Sequence, residues 1–398
     1  MIGMIVSWVA AAVVAVSGAG FDASRWVVET VAGTGAHGAV DGEAAQFNMP
    51  GSVFYRNGVL YVVDTFNNAV RVIEDGYVTH FTGTVLENDA HGFPVGAHED
   101  GRWDVAQFNR PTGGMIGGWG ELYIVDSENH AIRVVDGAGQ RAWGGGFVGS
   151  VRTMAGGEAG YVNGPLAYAQ FNLPTSIALG FYSSLFITDT LNHVIREICV
   201  NGYVTTIAGI AGQYGYACAD TGAALFNMPM GIAINNAGDI FIADTGNHLI
   251  RVLERHGDTW HTRTLAGSII FPSEVAWDDY EDADFDEEPL GGFADGADAL
   301  FNLPIGLTLW GDMLVVADSA NHRIRGILPC GYTRTLAGTG YADYLGGTAN
   351  EAAFHFPRGV QAVGERLYIA DTGNNTIRVL TAAPVEAPVL QRRCLICR

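Results

Sequence analysis

A single motif recurs six times along this chain, and this repetition constrains the possible folds more than any other feature. With small departures, each copy begins Thr-x-Ala-Gly, continues to Phe-Asn-x-Pro, and then reaches Asp-Thr/Ser-x-Asn-His/Asn and x-Ile-Arg-x-Ile/Leu. The recurring aspartates are Asp64, Asp126, Asp189, Asp244, Asp318 and Asp371. Tandem repeats of this kind are typical of arrays in which each unit buries its apolar face against the next.

Each copy contains four short apolar patterns that are separated by turn residues. In the fourth copy they are residues 231–234, 240–243, 249–253 and 262–266, and Asn-Asn-Ala-Gly separates the first two. The 54 glycines of the chain favour tight turns over long helices. The sequence therefore predicts an all-β fold, a six-bladed β-propeller of four-stranded antiparallel blades.

The two ends of the repeat region indicate how the ring closes. Residues 26–33 match the fourth, outer strand of a unit, whereas the last unit stops after its third strand at residues 376–380. We therefore expect the N-terminal strand to complete the final blade, which removes two free sheet edges. The predicted propeller domain covers residues 26–383.

The motif carries a family resemblance. Asp-Thr-Gly-Asn-His-Leu-Ile-Arg at residues 244–251, after Phe-Asn-Met-Pro at residues 226–229, resembles the NHL repeat. The resemblance covers about residues 26–383 and implies a six-bladed propeller. Similar propellers include protein- or RNA-interaction modules, and also lyases and hydrolases such as peptidyl-hydroxyglycine amidating lyases. The resemblance therefore does not imply one activity, because such folds host many functions.

The charge of the chain narrows the choice of partner. The formal net charge is -21, and all 21 basic residues are arginine. Without lysine, Schiff-base chemistry through a lysine amine is excluded. A nucleic-acid partner is disfavoured, since binding to phosphates depends on clustered basic side chains. An acidic surface instead suits a soluble, monomeric protein with cationic or metal partners.

Both termini have a distinctive composition. An apolar run followed by small residues makes residues 1–20 an expected signal peptide, so the protein is predicted to be secreted or to lie in the secretory lumen. The alternative is a membrane anchor through residues 2–19, because the usual N-terminal positive charge is missing. Residues 384–398 form a short C-terminal tail.

The five cysteines leave their redox state open. Cys199 and Cys218 fall near the junction of the third and fourth units, and they are either a disulfide pair or two small buried side chains. Cys394 and Cys397 form one Cys-x-x-Cys in the tail, which is a weak signal for a metal or redox site.

One face of the predicted propeller collects most of the motif. The turns between the second and third strands share a face with the blade-to-blade connections, and loops on a rigid scaffold commonly bind ligands. The six aspartates either accept hydrogen bonds that close these turns or bind a ligand or cation together. The recurring arginines predict structural ion pairs or stacking, and the His/Asn position predicts a shared hydrogen-bonding role.

An acidic segment at residues 278–288 interrupts the repeat. Asp282, Asp284 and Asp286 resemble the start of a calcium loop, although the turn glycine and the distal glutamate of an EF-hand are missing. The segment is interpreted as a solvated loop, with calcium or a basic partner as the alternatives.

Two functions remain from these features. The favoured one is a non-enzymatic scaffold that binds a protein or small molecule on the loop face, since the sequence lacks a nucleophile motif such as Gly-x-Ser-x-Gly. The alternative is a lyase or hydrolase that holds calcium or zinc at the mouth of the central channel. Its candidate ligands are the motif aspartates and four further histidines, His37, His91, His98 and His355.

Overall fold

Backbone pairing in the computed structural model builds six antiparallel sheets. The structure describes residues 21–137, 149–218, 223–257, 259–270 and 289–383. The expected signal peptide or anchor at residues 1–20, the candidate calcium ligands Asp282, Asp284 and Asp286, and the tail at residues 384–398 with Cys394 and Cys397 lie outside this part of the chain.

Each sheet is a meander of four main strands, numbered here from the propeller axis outward. The inner strands are Pro50–Arg56, Pro111–Ile116, Pro174–Leu179, Pro229–Ile234, Pro304–Trp310 and Val360–Val363. The second strands are Val59–Asp64, Leu122–Asp126, Leu185–Asp189, Ile240–Asp244, Met313–Asp318 and Arg366–Asp371. The third strands are Ala69–Glu74, Ala131–Asp136, Val194–Ile198, Leu249–His256, Arg323–Ile327 and Thr376–Ala382. The outer strands are Tyr77–Thr82, Ser150–Gly156, Tyr203–Ala208, Thr259–Ala266, Thr333–Ala337 and Trp26–Ala32.

Short elements complete the sheets. Two-residue strands extend three blades beyond the outer strand: Gly101–Arg102, Gly164–Pro165 and Gly347–Thr348. A 3₁₀ turn follows every second strand: Thr65–Asn67, Ser127–Asn129, Thr190–Asn192, Thr245–Asn247, Ser319–Asn321 and Thr372–Asn374. Two further 3₁₀ turns are Ala23–Arg25 and Phe181–Ser183. In the described ranges, no helix is long and apolar enough to cross a lipid bilayer.

The ring closes through the N-terminal strand, which confirms the prediction. Trp26–Ala32 pairs antiparallel with Thr376–Ala382, with Val28 opposite Leu380. The inner strands of successive blades also contact each other around the whole ring, from the first blade to the sixth and back to the first. The fold is therefore a six-bladed propeller.

The hydrophobic core lies between the blades rather than within them. One cluster joins Ile195 and Ile207 of the third blade to Phe226, Ile232 and Ile242 of the fourth. A single four-stranded blade has no layer to cover its two faces, so each blade depends on both neighbours for burial. This arrangement makes closure of the ring a requirement for burying the first and last blades.

The closing strand offers a direct test of this dependence. Val28 is almost fully buried in the cluster between the last two blades, whereas its neighbour Glu29 is exposed. We expect Val28→Ala to lower the free energy of unfolding by about 2 kcal/mol, because it removes two buried methyl groups and leaves a cavity. Glu29→Ala should change it by less than about 0.5 kcal/mol. Equal effects of the two changes in urea unfolding would contradict the conclusion that burial of this strand stabilises the fold.

Candidate functional site

A buried polar network repeats in every blade at the end of the second strand. In the fourth blade, Asp244 Oδ1 accepts the backbone N–H of Asn227 at 2.7 Å. Its Oδ2 accepts hydrogen bonds from Asn247 Nδ2 at 2.8 Å and from Arg251 Nη1 at 2.9 Å. The network therefore joins the blade-to-blade connection, the 3₁₀ turn and the third strand of one blade at a single carboxylate.

The other five blades repeat these contacts. Each aspartate accepts the backbone N–H that follows the motif phenylalanine, an asparagine side chain and an arginine. Because the third residue of the 3₁₀ turn faces back to the strand end, an asparagine there reaches the carboxylate. The predicted role of the aspartates in closing the turn is thus observed, with a backbone donor from the preceding connection.

Each motif arginine is paired and stacked, as the sequence predicted. Arg251 lies over the ring of Phe226, with 5.3 Å between Cζ and the ring centroid, and donates to the carbonyl oxygens of Leu225 and Ala217. The guanidinium is fully buried and pairs with the carboxylate of Asp244. The arginines in equivalent positions are Arg71, Arg133, Arg196, Arg325 and Arg378.

Burial affects the ionisation of the six aspartates. Removal from water raises the pKa of Asp64, Asp126, Asp244 and Asp371 to about 6, and outweighs the hydrogen bonds and the arginine that favour the charged form. Burial likewise raises the pKa of Asp189 and Asp318. At neutral pH the four carboxylates with a pKa near 6 are therefore mostly ionised and paired with arginine.

The six motif aspartates are buried, and this burial limits how they could bind a ligand as predicted. Asp64, Asp126, Asp189, Asp244, Asp318 and Asp371 are all 0% exposed, and none of them lines the central cavity. Both oxygens of each carboxylate already accept hydrogen bonds within the blade. A direct contact between these aspartates and a ligand stays a prediction, and it requires the network to open first.

Removing one partner of this network should be far more harmful than replacing both. We expect Asp244→Ala to lower the free energy of unfolding by about 3–5 kcal/mol, because it leaves the Arg251 guanidinium buried without its counter-charge. The double variant Asp244→Leu/Arg251→Met should lose less, since no charge is left buried. Asp312→Ala, at an exposed turn, is the control. The single variants Asp244→Leu and Arg251→Met complete a double-mutant cycle, and additive effects in chemical unfolding would contradict the coupling.

A second repeated contact links each blade to the next. The residue after every 3₁₀ turn has a left-handed backbone, with φ between 52 and 58° at the six positions. Histidine or asparagine occupies this position, and asparagine and histidine are enriched in this region. His193 Nδ1 accepts the backbone N–H of Met228 in the next blade at 3.1 Å, and Asn68 Oδ1 accepts that of Arg110 at 2.7 Å.

The remaining copies of this contact show that imidazole and amide are equivalent here. His130, His248 and His322 accept the backbone N–H of Leu173, Leu303 and Phe356 through Nδ1, and Asn375 accepts that of Met49 through Oδ1. The shared hydrogen-bonding role predicted for this position is therefore present. It requires a neutral ring, because Nδ1 can accept only when it carries no proton.

These histidines predict a pH dependence of stability. Burial lowers the pKa of His130, His193 and His322 below the usual value near 6.5. The unfolded chain therefore binds protons first, and stability contributed by the neutral rings is complete above pH 6.5 and is lost as the pH falls below it. The triple variant His130→Asn/His193→Asn/His322→Asn should lose less stability than the wild type between pH 7.5 and 5.5. A larger loss in the variant would contradict this assignment.

The four further histidines proposed as metal ligands are dispersed. His37, His91, His98 and His355 are exposed and lie on three different connections. His98 Nε2 lies 2.8 Å from Thr153 Oγ1, and the His355 ring centroid lies 5.8 Å from that of His322. Within the part of the chain that the structure describes, no group of three or more His, Cys, Asp or Glu is placed to hold a metal ion.

Cys199 and Cys218, whose redox state the sequence left undecided, are free thiols. They are not bonded to each other, and they are not two buried side chains either, because Cys199 is half-buried and Cys218 is exposed; both alternatives were therefore wrong. Cys218 Sγ instead lies 3.3 Å from Arg251 Nη2, at the position where other blades place Asp41, Asp100 or Asp295 against their arginine.

The loop face, defined as the 3₁₀ turns together with the blade-to-blade connections, carries aromatic residues that sequence reasoning missed. Four blades place an aromatic side chain at an equivalent position, 39–47% exposed: Tyr161, Tyr216, Phe293 and Tyr344. Tyr161 covers the outer side of Arg196, 4.9 Å from Cζ to the ring centroid, while Phe171 covers the inner side. A repeated aromatic residue upstream of Phe-Asn-x-Pro was the available signal.

The central cavity lies at the loop-face end of the axis, where the inner strands begin. Its volume is about 70 Å³ and residues of all six blades line it. Small residues make the ring tight: a Cβ on Gly359 would lie 2.6 Å from Ser52 Cα, and one on Gly113 would lie 2.5 Å from the Thr175 carbonyl oxygen. The lining includes one charged side chain among the described residues, that of Arg358.

Six four-stranded blades, each of which contains the same Asp–Asn–Arg network, define a β-propeller that is built from repeats. The family model for the NHL repeat matches residues 226–253, the segment that contains Asp244 and Arg251. The chain is therefore an NHL repeat-containing protein, and the resemblance seen in the sequence is confirmed.

Comparisons with known proteins agree with this assignment. The chain is 30% identical over 302 residues to Protein SUPPRESSOR OF QUENCHING 1, chloroplastic, of Arabidopsis thaliana, covering 71% of this chain and 26% of that protein. It is 26% identical over 362 residues to NHL repeat-containing protein 2 of Gallus gallus, covering 81% of this chain and 44% of that protein. The chain thus spans less than half the length of these curated relatives.

A solved structure with the same fold is an auxiliary nutrient binding protein from Bacteroides ovatus. The TM-score is 0.62 at 14% sequence identity, and the match covers 90% of this chain and 77% of that one. At this identity the likeness extends to the propeller fold alone.

Proposed function

We propose that this propeller is a non-enzymatic scaffold that binds a protein partner on its loop face. The observation that carries the proposal is a division of roles on that face. The aspartate and arginine of each Asp–Asn–Arg network are buried, whereas large aromatic and aliphatic side chains are exposed on the connections, together with half-exposed aspartates such as Asp41. Tyr341 is 79% exposed and Leu86 is 76% exposed, both on blade-to-blade connections.

These exposed groups have the composition of a binding surface. Tyrosine contributes a large apolar area and a hydroxyl at a small entropic cost, and it is enriched at protein interfaces. Because several of these rings lie on paired arginines, as Tyr344 does on Arg378, they are held in place before binding. Rigid aromatic groups on a rigid ring favour recognition of a folded surface.

The charges on the same face favour a basic partner. Asp41, Asp100 and Asp295 are between 41 and 49% exposed at one repeated position beside the motif arginines. Together with the net charge of -21, they make the surface attractive to lysine- and arginine-rich patches. We also propose secretion or a secretory-pathway location, on the composition of residues 1–20.

A photo-crosslinking experiment compares the two faces. A crosslinking phenylalanine analogue replaces either Tyr341 on the loop face or Tyr182, which is 91% exposed on a turn at the opposite face. We expect a specific crosslinked partner from the Tyr341 position and none from the Tyr182 position, with a yield that falls as salt rises.

Crosslinks from Tyr182 alone would contradict the assignment of the loop face. Stoichiometric calcium or zinc in the purified protein, lost together with a catalytic activity on chelation, would favour the lyase or hydrolase alternative instead.

A further inference from the structure

The central cavity contains a departure from the sixfold repeat. The residue after the motif proline begins the lining of the cavity in every blade. In five blades it is uncharged: Gly51, Thr112, Thr175, Met230 and Ile305. In the sixth blade it is Arg358. Because five blades form the same architecture without a charge here, the arginine is not needed to build the ring.

Arg358 differs from the six motif arginines in having no counter-charge among the described residues. Each motif arginine pairs with a buried aspartate, as Arg378 does with Asp371 in the same blade. No side chain or carbonyl group of the described residues accepts a hydrogen bond from the Arg358 guanidinium, and none of their carboxylates pairs with it. With respect to the described part of the chain, its five N–H donors are therefore left to bind a ligand.

The surroundings of Arg358 make that free charge costly. Protein atoms surround most of the Arg358 side chain, although part of its surface stays accessible to solvent. This burial lowers the pKa of the guanidinium. Arginine still keeps its proton, so a positive charge remains next to a small cavity in a strongly acidic protein. An uncompensated charge of this kind is stabilised when an anion enters.

The cavity also limits the size and the chemistry of the anion. A volume of about 70 Å³ accepts a group as small as phosphate or acetate. Ser52 and Ser176 line the cavity on two other blades, and their hydroxyl groups are further potential donors. Guanidinium binds planar or tetrahedral oxyanions through two parallel hydrogen bonds.

We propose that the central cavity is an oxyanion site in which Arg358 binds the carboxylate or phosphate group of a small ligand. The site is separate from the protein-binding surface proposed for the connections, and it does not depend on that proposal. It adds a small-molecule function at the axis of the ring.

Binding is tested by titrating the 398-residue chain with inorganic phosphate and, separately, with acetate at pH 7 and constant ionic strength. Calorimetry should show one site per chain in the wild type, with at least tenfold weaker binding in Arg358→Met. Arg366→Gln removes the same charge from an exposed position in the same blade, and it should bind like the wild type. The probe that binds more tightly identifies the ligand as a phosphate or a carboxylate.

A second measurement separates a lost site from a lost fold. Methionine occupies the equivalent position in the fourth blade as Met230, so Arg358→Met should fold. Without anion its Tm should equal or exceed that of the wild type, and the anion-dependent rise in Tm should disappear. Absence of binding to the wild type by both probes, or equal binding to Arg358→Met, would overturn the proposal. Neither result would alter the crosslinking expected from Tyr341.

Discussion

The buried Asp–Arg ion pair is the interaction on which the rest of this propeller depends. One carboxylate, such as that of Asp244, holds a connection, a turn and a strand that are distant in sequence. In a low-dielectric interior these charge-assisted bonds have few alternative geometries, so the pair sets the position of the connection relative to the blade. Stacking of Arg251 on Phe226 ties the same network to the apolar core.

The blades cannot be considered separately, because their apolar faces and their turns both rely on neighbours. The hydrophobic clusters lie between blades, and the left-handed residue after each turn accepts an N–H from the next blade. The residue that donates this N–H, such as Met228, also has a left-handed backbone with φ of 48°. The contact between blades thus stabilises a conformation that costs about 1–2 kcal/mol in an L-residue.

Much of the fold followed from the repeat. The number of blades, the order of strands and the closure by residues 26–33 were all predictable, since strand patterns and the motif recur in register. The structural roles of Arg251 and His193 were also predictable, because a residue that recurs in every unit serves what every unit shares. The free thiols of Cys199 and Cys218 were not, since pairing depends on distances that spacing in sequence does not define.

The sites were harder to predict than the fold. The aspartates appeared as candidates for binding because six carboxylates at one end of a ring suggest a cation site. Their full burial and the hydrogen bonds on both of their oxygens appear only when the connection folds back over the strand end. Arg358 was not identified from the sequence, because a single arginine carries no sign in the sequence that it lacks a partner.

The sequence by itself determined the sixfold architecture, because hydrophobic periodicity and turn residues are local properties that act within each unit. The tertiary structure decided which polar groups have hydrogen-bond or ion-pair partners and which do not, because these partners depend on the contacts made when distant segments pack. Asp244 and Arg358 illustrate the difference: both oxygens of one carboxylate accept hydrogen bonds, and one guanidinium lines the axis without a counter-charge in the described chain.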